Sequence, residues 1–66
     1  MTEVIRETKL YQLNKGNGMA NGLYNVSEKN GNGLSFWFDE EVKEKFMQLS
    51  DKEFDKQVKN SLNYNF

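Results

Sequence analysis

The sequence predicts an α+β fold: a three-stranded antiparallel β-meander followed by two short α-helices packed on one face. Three observations carry that expectation. Residues 3–38 mix β-branched and aromatic side chains with connections rich in glycine and asparagine. From Asp39 onward, apolar residues recur at helical spacing. All of this falls within 66 residues, which is room for one domain.

The first strand is expected over 3–14, where Val4, Ile5, Thr8 and Tyr11 supply β-formers in an imperfect alternation. Lys15 to Gly22, which includes Asn17 and Asn21, reads as a connecting loop. A second strand is expected over 23–29, a turn at Asn30-Gly31-Asn32-Gly33, and a third strand over 34–38. Asn-Gly marks a hairpin because both central positions of the favoured turn need positive φ. Whether the first strand pairs with the second or crosses to the third stays open.

Loop length decides which side chains share a sheet face. A two-residue Asn30-Gly31 turn sets Leu34, Phe36 and Phe38 beside Leu23, Asn25 and Ser27. A three-residue loop, Asn30 to Asn32, instead pairs Val26 with Phe36 and Tyr24 with Phe38. A slip of one residue exchanges the faces entirely, so burial selects the more apolar grouping. The odd loop is therefore expected, with a bulge near Gly33. It gathers Tyr24, Val26, Leu34, Phe36 and Phe38 under the helices and leaves Asn25, Ser27, Ser35 and Trp37 on the other face.

Two helices are expected, over 40–49 and 51–62. Asp39 stands as N-cap before Glu40 and Glu41, and Val42, Phe46 and Leu49 form one stripe. Ser50-Asp51-Lys52-Glu53 fits a capping box, and Phe54, Val58 and Leu62 form the next stripe. In one continuous helix the two stripes would point about 160° apart, so a break at Ser50 is required.

Composition narrows the chemistry. The chain has no Cys, His or Pro, which excludes thiolate nucleophiles, Cys-ligated metals and the commonest general base. The expectation is a non-catalytic protein with no cofactor and no metal site. No run of about 18 apolar residues offers a membrane span, and no basic-then-apolar leader is present, so a cytoplasmic protein away from the membrane is expected. The formal net charge is −1. Residues 1–33 hold four Lys/Arg against three Asp/Glu, and residues 34–66 five against seven. Neither half is a basic stripe of the kind that neutralises phosphates. So small a chain offsets its ordering entropy narrowly, and a homodimer stays open.

Several residues stand out as binding candidates. Trp37 on the face away from the helices, with Leu23 and Leu10, forms a candidate partner-binding surface. The competing reading covers Trp37 with the N-terminal segment or with Asn63 to Phe66. Asn17 and Asn21 add loop contacts, and Glu40 and Glu44 an acidic helix edge. Gly16, Gly18 and Gly22 lack the spacing and the following helix that a phosphate loop needs. Asp39, Glu40, Glu41 and Glu44 serve capping and solubility, with Glu41–Lys45 and Asp55–Lys59 as i, i+4 pairs.

The function expected from these features is that of a small modulator or inhibitor that binds a protein partner. The asparagine- and lysine-rich composition resembles that of small accessory proteins of phages and mobile elements. A first alternative is a single-stranded nucleic-acid binder using Trp37, Tyr11, Arg6 and Lys9. A second is an acidic nucleic-acid mimic built on Glu40, Glu44, Asp51 and Asp55.

Overall fold

The structure, a computed structural model, describes residues 2–31, 35 and 37–63, with Thr2 and Asn63 described by their backbone alone. Strands β1 (Thr2–Glu7), β2 (Tyr11–Gly16) and β3 (Tyr24–Glu28) form an antiparallel sheet in the order β1-β2-β3. Helices α1 (Glu40–Gln48) and α2 (Asp51–Asn63) follow. The three-stranded sheet and two helices are the α+β class expected from the sequence.

The strands are divided differently from the expectation. The span 3–14 is not one strand but two, because the chain reverses at Thr8-Lys9-Leu10. No residue of that turn is Gly, Asn or Pro, so the usual turn signal is missing. Backbone and side chain hold it together: Thr8 N–H donates to Tyr11 O at 2.9 Å, and Tyr11 N–H reaches Thr8 Oγ1 at 3.4 Å. The first strand thus pairs with its sequence neighbour and does not cross the sheet.

Among the described residues of the span 34–38, where a third strand is expected, there is no regular strand. Those residues run beside β3 through an isolated antiparallel bridge between Tyr24 and Phe38 and a Ser35 N–H bond to Val26 O of 2.9 Å. Tyr24 opposite Phe38 is the pairing that the three-residue loop requires. Asn32, Gly33, Leu34 and Phe36 lie outside the described residues, and with them the bulge and the Val26–Phe36 pairing.

Register assigns the two faces. Leu13 lies opposite Val26, and Lys15 opposite Tyr24. A bulge between Val4 and Arg6 turns Arg6 to the same side as its partner Leu13, and Ile5 also packs against the core. On that side Leu13, Tyr24 and Val26 are buried with Phe46, Phe54, Val58 and Leu62 of the helices. Phe46 bridges the layers: its ring stacks on Phe38 at 5.3 Å and meets Phe54 edge-on at 5.8 Å.

Both helix starts follow their sequence signals. Asp39 accepts from Val42 N–H at 3.2 Å, and Ser50 Oγ from Glu53 N–H at 3.3 Å. Leu49, extended at ψ 147°, makes the break between the helices. Arg6 ties that break to the sheet. Its guanidinium donates to Phe46 O and Leu49 O, reaches Asp51 Oδ1 at 3.1 Å, and lies 4.6 Å over the Phe54 ring. Among the described residues, no helix is long and apolar enough to cross a membrane.

Candidate functional site

The face of the sheet turned away from the helices carries Gln12, Asn14 and Gly16 of β2 and Asn25 and Ser27 of β3. Its centre is polar yet closed to water: Asn25 is 1% and Asn14 3% exposed. The burial is tolerated because the amides satisfy one another. Asn14 Nδ2 donates to Asn25 Oδ1 and Ser27 Oγ, each at 3.0 Å, while Asn14 Oδ1 accepts from Gln12 Nε2 at 2.9 Å.

Trp37 sits at one end of this face. A Cβ on Gly16 would meet Trp37 Cζ3 at 2.9 Å, Ala20 O at 2.5 Å and Ala20 Cβ at 2.6 Å. Only glycine leaves that space, and the indole and the loop share it. The indole is nonetheless 43% exposed. Its backbone is pinned on both sides, by the two 2.8 Å hydrogen bonds between Phe38 and Tyr24 and by Ser35 on Val26. An aromatic side chain fixed in advance loses little freedom when a partner covers it.

Other exposed apolar side chains share this face and its adjoining loop. Leu23 O accepts from Gly16 N–H at 2.8 Å, which sets the exposed Leu23 beside Gly16 on the same face. Val4, opposite Asn14, is exposed on that face from β1. The loop after β2 forms a single 3-10 turn, Gly18–Ala20, bracketed by Gly18 at φ +64° and Gly22 at φ +89°. Those left-handed positions let the loop fold back on Gly16, and the turn leaves Met19 wholly exposed next to Ala20. Asn17 and Asn21 flank the turn and are exposed.

The remaining candidates distribute unevenly. Leu10 does not join Trp37 and Leu23: it lies in the β1–β2 turn, at the other end of a strand about 17 Å long. Glu40 and Glu44 lie on the first turns of α1 with Lys43 between them, at 3.8 and 2.6 Å. The hydrogen bond to Glu44 raises the Lys43 pKa above 10.5, against a partial loss of hydration. Glu41–Lys45 and Asp55–Lys59 form no ion pair, and Asp55 instead accepts from Thr8 Oγ1.

The nucleic-acid set comes apart in space. Tyr11 packs against the core on the helix side, Arg6 has its guanidinium engaged at the helix junction, and Lys9 lies in the distant turn. Trp37 is on the opposite face. In the acidic set, Asp51 is bound by Arg6 and Asp55 by Thr8.

Val4, Met19 and the role of Gly16 were missed from the sequence. Met19 carried one signal, as the lone large apolar residue between Gly18 and Gly22. A separate groove of about 570 Å³ runs between the helices, lined by Val42, Phe46, Leu49, Lys45, Gln48 and Gln57. Among the described residues no cluster of three acids or other ligating side chains could hold a metal ion. Fold and surface together define a small α+β protein with a fixed, half-exposed indole opposite its helices. No family model, curated protein or solved structure matches this chain.

Proposed function

We propose that this chain is a non-catalytic protein-binding module that modulates or inhibits a protein partner by docking through the surface around Trp37. One observation carries the reading. Among the described residues six large apolar side chains are exposed: Trp37, Leu23, Val4 and Met19 belong to this face and its adjoining loop, while Leu10 and Met47 lie elsewhere. A tryptophan that shares its face and adjoining loop with smaller apolar side chains and neutral amides has the composition of an interface hot spot. The pinned backbone and the closed amide network supply the rigid support that such a contact needs.

The test is capture of a partner from a nuclease-treated lysate with four tagged proteins: wild type, Trp37→Ala, Leu10→Ala and Met47→Ala. Circular dichroism first establishes that each is folded. The reading expects one discrete protein retained by wild type, Leu10→Ala and Met47→Ala and lost with Trp37→Ala. Equal retention by Trp37→Ala, or retention that nuclease abolishes, would falsify it.

A further inference from the structure

We propose that Asn21-Gly22 is a site of covalent self-modification: the main-chain nitrogen of Gly22 displaces ammonia from the Asn21 side chain and turns a neutral loop beside Trp37 into a charged one. Asparagine is a thermally labile residue because its side-chain amide can be attacked from within the chain. The residue that follows supplies the nitrogen, and a glycine there leaves the approach unshielded. Four of the five glycines in this chain follow asparagine, at Asn17, Asn21, Asn30 and Asn32. The fold treats the first three of these pairs differently.

Asn21 is exposed, and among the described residues its side chain has no hydrogen-bond partner. The chain is braced on both sides of the reacting groups: Asn21 N–H donates to Gly18 O at 3.1 Å, and Leu23 N–H to Ala20 O at 3.0 Å. The peptide unit between these braces is free. Among the described residues neither Asn21 O nor Gly22 N–H has a partner, so rotation toward the side chain breaks no bond. Nothing lies within 4 Å of the place where a Cβ on Gly22 would stand. Neighbouring groups held in place, with only the last rotation left open, favour an intramolecular step.

The other two pairs are hindered. Asn17 O accepts from Ala20 N–H at 3.2 Å, so the same rotation there opens the 3-10 turn. Beside Asn30, Glu28 Oε2 lies 2.6 Å from the place of a Cβ on Gly31. That carboxylate opposes the negative charge that the attacking nitrogen must carry.

The reaction needs only water. Gly22 N–H gives its proton to solvent, and the nitrogen forms a bond to Asn21 Cγ, closing a cyclic imide. The Cγ–Nδ2 bond breaks, and that nitrogen takes up a proton and leaves as ammonia. Water then opens the imide at one of its two carbonyls. Breaking the new bond to Cγ leaves aspartate; breaking the main-chain bond leaves isoaspartate, with the chain running through the side chain. In both cases an amide and a water become a carboxylate and ammonium.

The change reaches the docking surface. Ala20 O, Ala20 Cβ and Trp37 Cζ3 all lie within 2.9 Å of the point that a Gly16 Cβ would occupy, and Asn21 is the next residue after Ala20. Isoaspartate also lengthens the backbone between Ala20 and Leu23, which strains the hydrogen bond joining them. Conversion thus charges the loop and loosens the seat of the indole. The chemistry is independent of any partner, whereas its effect on docking rests on the function proposed for this surface.

The experiment incubates the full chain in slightly alkaline buffer, folded and in urea, and locates deamidation over time by peptide mapping against a zero-time digest. In the folded chain Asn21 should convert at least about threefold faster than Asn17, whose turn bond must open first. It should outpace Asn30 roughly twofold, the effect of one exposed charge. In urea the three rates should converge, and Glu28→Gln should speed Asn30 alone. Labelled with ¹⁵N, the converted chain should show displaced Trp37 indole and Leu23 amide signals, while Asn21→Gln aged in parallel keeps its own unchanged. Equal rates in the folded chain, an Asn21 slower than Asn17 or Asn30, or Trp37 and Leu23 signals unmoved after conversion would each overturn the proposal. Partner capture should fall with conversion; capture unchanged refutes the effect on docking and leaves the modification site standing.

Discussion

Replacing Arg6 by alanine is expected to remove about 3–4 kcal/mol of folding stability. The guanidinium donates to Phe46 O at 2.5 Å and to Leu49 O at 2.6 Å, carbonyls at the end of α1 that have no partner within the helix. A hydrogen bond to a charged group contributes about 1.5–3 kcal/mol. Water can reach the freed, partly buried carbonyls, so the lower figure applies and the two bonds give about 3 kcal/mol. The cation–π contact with Phe54 adds about 0.5–1 kcal/mol. Asp51 is 81% exposed, so its ion pair adds little.

A chain of this length has a total stability of about 3–10 kcal/mol, so the loss consumes much of it. With a urea slope of about 1 kcal/mol/M, the midpoint by circular dichroism should fall by roughly 3 M. Arg6→Lys keeps the charge but lacks the planar fork that spans two carbonyls, and should recover about half. Arg6→Met keeps the stem alone and should resemble alanine. A loss below about 1 kcal/mol for Arg6→Ala, or an Arg6→Lys midpoint equal to wild type, refutes the clamp.

Three further outcomes follow from single contacts. Gly16→Ala places a methyl 2.5 Å from Ala20 O and 2.9 Å from Trp37 Cζ3; a loss of about 1–3 kcal/mol and a red-shifted tryptophan emission are expected. Unchanged emission would show that the indole does not rest there. Asn14→Leu removes the donor shared by Asn25 Oδ1 and Ser27 Oγ and should lower stability by about 2–3 kcal/mol in urea titrations. An unaffected midpoint would mean that the network is dispensable. Lys43 has its pKa raised above 10.5, chiefly by its hydrogen bond to Glu44. Folding therefore favours its protonated form, a contribution present below pH 10.5 and lost as pH rises through the folded-state value. Lys43→Met should flatten the alkaline fall in stability relative to wild type, and parallel curves would contradict the assignment.

The helices were the more legible half. Asp39, Ser50 and the spacing of Phe54, Val58 and Leu62 are local signals, and local signals place caps, breaks and buried stripes. The pairing of Tyr24 with Phe38 was also accessible, because only an odd loop groups the apolar side chains. The β1–β2 turn was not. Thr8-Lys9-Leu10 uses no positive-φ residue, and part of its support, the bond from Thr8 to Asp55, comes from 47 positions away. A bulge turns Arg6 inward, and the partners of its guanidinium lie 40 to 45 positions away, so Arg6 reads from sequence as a surface cation.

The candidate surface was legible at its centre and not at its edges. Trp37 and Leu23 follow from face assignment, but Leu10 was placed beside them only by treating 3–14 as a single strand. Val4 takes that position from β1. Gly16 looked like one glycine among several in a loop, and only the seating of the indole on Ala20 and Gly16 gives it a role.

The single tryptophan allows the most direct test of the docking surface. A partner captured by the wild type is titrated into the full chain, itself free of any other tryptophan, with Trp37 emission followed by selective labelling of that residue. The expected result is a saturable blue shift as the half-exposed indole leaves water, with the same midpoint as binding measured independently. Saturated binding with Trp37 emission unchanged would contradict the account.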